Sequence, residues 1–164
     1  MTEIVPELHD IRIYQKVGRL DTRSLNTADQ LLLILPARPT AAHFRRIPQG
    51  SKLQAVMRKH ADGSTPAFTS RLGNKKQTLV VGGKLSPDAS TFEQLTFGRK
   101  LVAAATTQKP GSLGICAVGF STEEQALVIN NVLAAALAAG FVLPSYKSDK
   151  KPSGITSIRL LGLD

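Results

Sequence analysis

Gly119-Phe120-Ser121-Thr122-Glu123 stands between an apolar run and a long alanine-rich stretch. Hydrolases of the α/β type set a nucleophilic serine at such a strand-to-helix turn, in a GxSxG elbow. Here the fifth residue is Glu123, not glycine. Ser121 followed by Glu124 also satisfies the S-x-x-E capping box, which gives the serine a complete structural role as the N-cap of a helix. A nucleophile needs a base, and His9, His43 and His60 fall in separate segments with no carboxylate at a recognisable spacing. A Ser-His-Asp site would have to be assembled by the fold alone.

Metal and phosphate chemistry fare no better. The chain has no HExxH, a single cysteine, and no cluster mixing histidine with acidic residues at ligand spacing. Val80-Val81-Gly82-Gly83 and Gly111-Ser112-Leu113-Gly114 resemble loops that cradle phosphates, yet neither supplies GxGxxG or the P-loop lysine. A strand end and a tight turn account for these glycines. No catalytic, cofactor-binding or metal-ligating residue is therefore assigned, and no cofactor is expected in this chain.

Basic residues come in pieces: Arg45-Arg46, Lys52 with Arg58-Lys59, Arg71 with Lys75-Lys76, Arg99-Lys100, and Lys147 with Lys150-Lys151. Lysine and arginine number 21 against 12 acidic residues, a net charge of +9, which favours anionic partners or simply solubility. Tryptophan is absent, tyrosine occurs twice, and no nucleic-acid signature is present, so any such binding is expected to be weak and non-specific.

The elements that must hold these residues follow from the hydrophobic pattern. Asp10 to Val17 alternates as a half-exposed strand near a sheet edge. Gln30 to Leu35 is a continuous apolar run ended by Pro36, as in a strand covered on both faces. Ala41 to Arg46 and Ser51 to His60 read as short helices, the second with Leu53, Val56 and Met57 on one face. Thr65 to Leu72 and Lys76 to Leu85 form a hairpin turning at Gly73-Asn74, where positive φ is tolerated. Ser90-Thr91-Phe92-Glu93 opens a helix running to about Gln108, and Lys109-Pro110-Gly111 stops it. Leu113 to Gly119 is a buried strand, Ser121 opens a helix that reaches Ala139 before Gly140, and Ile155 to Leu161 is a last strand. The order strand, helix, strand, helix, strand predicts one α/β domain over residues 1–164, three-layered, with a mixed, mostly parallel sheet.

The lone Cys116, inside an apolar run, suits a reducing compartment, and MTEIVPELHD lacks the basic start and apolar stretch of an export signal. A cytoplasmic location is the expectation. Gln125 to Tyr146 carries no charge, but its alanines, Asn130-Asn131 and Gly140 dilute it below a membrane span, so a helix packed on a sheet is expected.

The close of the chain adds a resemblance. After the alanine-rich helix come Phe141-Val142-Leu143, then Tyr146-Lys147-Ser148-Asp149-Lys150-Lys151, then Ile155 to Leu161. This order resembles the end of the N-terminal domain of the leucyl aminopeptidase family of two-zinc exopeptidases. Tyr146, Lys147 and Ser148 match that family's Y-x-F-x-x-YKS, with Phe141 and Leu143 in its two aromatic places. Gly83-Lys84 and the stretch from Arg99 through Ala105 resemble the family's strand-to-helix segment. The resemblance implies a macro-domain-like fold and a non-catalytic accessory domain serving assembly and active-site access. It further implies a homo-oligomeric parent whose two divalent metal ions, zinc or manganese, sit in a catalytic C-terminal domain of the same polypeptide. The family's Asn-Thr-Asp-Ala-Glu-Gly-Arg stretch is absent, so none of its metal ligands is carried over. Some bacterial members of the family bind DNA, and a stand-alone macro-like module for nucleic acid or a nucleotide is the alternative.

Overall fold

The computed structural model of the protein describes residues 10–60, 63–140 and 154–164. His9 and the whole Tyr146 to Lys151 motif, with the packing expected of Tyr146, lie outside the described residues. In chain order the elements are β1 (Arg12–Val17), α1 (Thr22–Leu25), β2 (Gln30–Pro36), α2 (Ala41–Arg45), α3 (Gly50–Lys59), β3 (Phe68–Arg71), β4 (Leu79–Leu85), α4 (Thr91–Thr106), β5 (Ser112–Ala117), α5 (Thr122–Gly140) and β6 (Ser157–Leu163). The strands form one sheet in the order β1-β6-β5-β2-β4-β3, with β3 antiparallel to β4 and every other pairing parallel.

Side chains from β2 alternate between two cores. Leu32 and Ile34 meet Phe97, Leu101 and Val102 of α4 and Val128 and Val132 of α5, while Leu31, Leu33 and Leu35 meet Leu25, Phe44 and Leu53 from α1, α2 and α3. Helices therefore cover both faces, the arrangement that a parallel sheet requires. This explains the unbroken apolar run: every position from Gln30 to Leu35 is buried.

Gly82 and Gly83 sit inside β4, not at its end. A Cβ on Gly82 would stand 2.2 Å from the Phe68 ring, and one on Gly83 would stand 2.7 Å from the Phe97 ring. The two glycines thus seat one phenylalanine on each face of the sheet, a close approach only a missing side chain permits.

Several boundaries depart from the sequence reading. The hairpin forms, but β4 begins at Leu79 because Asn74 holds the turn: its Oδ1 accepts from Thr78 N at 2.8 Å and its Nδ2 donates to Asn26 Oδ1 at 3.0 Å. The positive φ in the turn belongs to Gln77, at 50°, instead of Gly73-Asn74. Between β1 and β2, where the pattern gives no element, lies the one-turn α1, with Asp21 Oδ1 accepting from Ser24 N at 2.7 Å. All six residues of β1 are exposed, more than alternation alone suggests, since among the described residues the strand is the sheet's edge and pairs only with β6.

Candidate functional site

Ser121 immediately precedes α5, and its hydroxyl accepts from Glu124 N at 3.3 Å while Glu124 Oε2 accepts from Ser121 N at 2.8 Å. The reciprocal pair is the capping box read from the sequence. The fold does bring a histidine close by: a Cβ on Gly119, whose φ is +90°, would lie 3.0 Å from His43 Nε2. Thr40 N donates to His43 Nδ1 at 3.1 Å, however, so Nδ1 is an acceptor and a neutral ring carries its proton on Nε2. A general base for Ser121 needs a bare Nε2 and an Nδ1–H held by a carboxylate. His43 has the opposite tautomer and serves to close the start of α2. His60 sits far along the chain at the end of α3, where its N–H donates to Met57 O.

The second glycine motif is filled from within. Gly111 N and Ser112 N both donate to Asp29 Oδ2, at 3.1 and 3.0 Å, so a carboxylate occupies the place a phosphate oxygen would take. Asp29 Oδ1 accepts from Lys76 Nζ at 2.9 Å, and Asp29 N donates to Ser112 Oγ at 2.9 Å. Burial pushes the Asp29 carboxyl up, but the hydrogen bonds from Lys76 and Ser112 and the lysine charge outweigh it and hold the group below its ordinary value. The cluster ties the starts of β2 and β5 to the β3-β4 hairpin.

Cys116 is fully buried, and burial pushes its thiol up to about 12, which leaves it unreactive at neutral pH. Among the described residues no group of three or more His, Cys, Asp or Glu is placed to hold a metal ion, and no helix is long and apolar enough to cross a membrane.

The basic pieces separate by role. Lys52 Nζ donates to Arg71 O, Arg71 to Gln77 O and Gln108, and Lys76 to Asp29, so three of the sequence's basic positions are spent on bracing the hairpin. Arg159 lies 4.5 Å over the Tyr14 ring and donates to Thr27 O, covering one aromatic face that a nucleobase would need. A shallow hollow of ≈ 390 Å³ beside that pair is flanked by Lys16 and Arg23. Arg45 and Arg46, by contrast, reach the mouth of a cleft of ≈ 490 Å³ at the carboxyl ends of β1, β6 and β5. Arg19 joins them, and open α/β sheets bind ligands at that end of their strands. The cleft was not legible beforehand, because Arg19 and Asp164 are lone charged residues far apart in sequence.

Gln125 has a role that no local sequence signal marks. It is buried in the first turn of α5, where its Nε2 donates to Ala117 O at 2.9 Å and Gly162 O at 3.2 Å and its Oε1 accepts from Asp164 N at 3.1 Å. One amide thereby joins the ends of β5 and β6 to the helix between them.

No family model matches the sequence, and no curated protein sequence matches it. Among solved structures the fold is similar to that of a tomato leucine aminopeptidase mutant, with a TM-score of 0.68 and 16% identity. The match covers 98% of this chain and 34% of that one, so the chain spans about a third of the length of the peptidase it resembles. At this identity the likeness establishes a shared α/β fold.

Proposed function

We propose that the chain is a non-catalytic domain of a leucyl aminopeptidase-like protein, serving assembly and access to an active site carried elsewhere in the polypeptide. The observation that carries this reading is the disparity in coverage: nearly all of this fold corresponds to a third of a known peptidase. The site geometry supports it. Ser121 and His43 are committed to helix starts, Asp29 fills the glycine loop, and dinuclear hydrolysis needs two metal ions about 3.5 to 4 Å apart held by shared ligands. Under this reading the parent's two zinc or manganese ions and its release of N-terminal amino acids belong with the catalytic domain, this domain contributes to the parent's homo-oligomeric assembly, and a cytoplasmic location accords with the unpaired Cys116.

The test is hydrolysis of a leucyl anilide by the purified chain with added Zn²⁺ or Mn²⁺, together with the reading frame past Asp164. No turnover, and a following segment rich in clustered acidic residues, are expected. Metal-dependent turnover that chelation abolishes overturns the reading. Tight, sequence-selective duplex binding that survives physiological salt favours the stand-alone nucleic-acid module instead, because purely electrostatic binding by this surface falls steeply with salt.

A further inference from the structure

The cleft at the carboxyl ends of β1, β6 and β5 has a composition that no role in helix capping or strand pairing explains. Its floor is apolar: Leu20, Cys116 and Val118 are buried there, with Val17 and Leu163 at the sides. Its rim is cationic. Arg19 donates to Arg45 O at 3.0 Å, which holds the two segments at a fixed spacing, and Arg46 pairs with Asp164 at 3.1 Å. The Arg45 guanidinium makes no hydrogen bond or ion pair among the described residues. Three arginines and one aspartate thus line an apolar hollow, and Arg46 is the arginine that Asp164 pairs with.

We propose that this cleft is a binding site for a small oxyanion on an aliphatic body, a carboxylate or phosphate head carrying an alkyl chain. Guanidinium groups meet such heads with two parallel N–H bonds. The chain fits because the described lining residues include no aromatic ring, so they offer a nucleobase no stacking platform while an alkyl group has a buried apolar floor. Asp164 acts as an internal competitor that a ligand head must displace from Arg46. The proposal goes beyond the accessory-domain reading, and a domain without peptidase activity is compatible with either outcome below.

Titrating the whole chain with hexanoate, butyl phosphate, adenosine monophosphate and neutral hexanamide, followed by the amide NMR signals of Gly18 and Gly162, tests it. Saturable shifts with hexanoate or butyl phosphate are expected, the tighter of the two identifying the head, with adenosine monophosphate weaker than butyl phosphate and hexanamide silent. Arg45→Gln should weaken binding by about tenfold, the worth of one charge-assisted hydrogen bond, and Asp164→Asn should tighten it by freeing Arg46. Both side chains are exposed, and an unchanged circular dichroism spectrum shows that each variant is folded. Absence of saturable shifts, a preference for adenosine monophosphate, equal binding of hexanamide, or an Arg45→Gln variant of full affinity overturns the proposal.

Discussion

Replacing Asp29 by alanine should be the most informative single change at the glycine loop. The carboxylate accepts three hydrogen bonds, from Gly111 N at 3.1 Å, Ser112 N at 3.0 Å and Lys76 Nζ at 2.9 Å. The lysine pair is solvent-exposed on both sides, 42% and 41%, and such pairs contribute about 0.2 to 1 kcal/mol. The two amides matter more, since an orphaned backbone donor costs about 1 to 3 kcal/mol when dry and less where water reaches it. Asp29→Ala is therefore expected to cost about 2 to 3 kcal/mol, Lys76→Ala below about 1 kcal/mol, and Asp29→Asn to fall between them. Urea unfolding followed by circular dichroism measures this, the chain having no tryptophan. The folded carboxyl lies below its ordinary 3.8, so its stabilisation is fully present above that value and is lost as pH falls below it. The gap between the native chain and Asp29→Ala should accordingly narrow in acid, and formate, which can enter the emptied nest, should restore part of it at neutral pH. An Asp29→Ala variant as stable as the native chain at neutral pH, or a gap that widens in acid, refutes the argument.

Two further outcomes follow from packing and capping. Gly82→Ala forces a methyl group to within 2.2 Å of the Phe68 ring and should cost about 1 to 3 kcal/mol, yet in a Phe68→Leu background it should cost clearly less; strict additivity in a double-mutant cycle would show that the two do not touch. Ser121→Ala should cost about 1 kcal/mol, as the loss of a helix cap does, and a negligible effect on the denaturation midpoint would leave the serine without its structural role.

The sheet was readable because its signals are local. The unbroken run Gln30 to Leu35 announced burial on both faces, and two S-x-x-E boxes marked the starts of α4 and α5 to the residue. What stayed hidden depends on residues brought together from a distance. Asp29 reads as a loop residue until the fold sets it against Gly111, and Gln125 reads as an ordinary helical glutamine until the ends of β5 and β6 converge on its amide. The hairpin is shorter than its pattern predicts for a related reason: Lys76 to Thr78 lead directly into the apolar strand, but the Asn74 side chain claims Thr78 N and holds them in the turn. The candidate site was negatively legible. Sequence offered no triad or metal cage at a recognisable spacing, whereas the arginine-rimmed cleft needed four separate segments to meet.

The pairing of β1 with β6 has a kinetic corollary. Arg12 lies opposite Ser157, so the first strand gains its neighbour only after nearly the entire chain between them has been synthesised and ordered. Contacts of such long sequence separation form late and slow the overall rate. During synthesis on the ribosome β1 must wait, with Ile13, Tyr14 and Val17, which stay exposed even in the finished sheet, open to other nascent chains. Arg12 and Lys16 give β1 two like charges, and charges of this kind disfavour the pairing of two copies of a waiting strand.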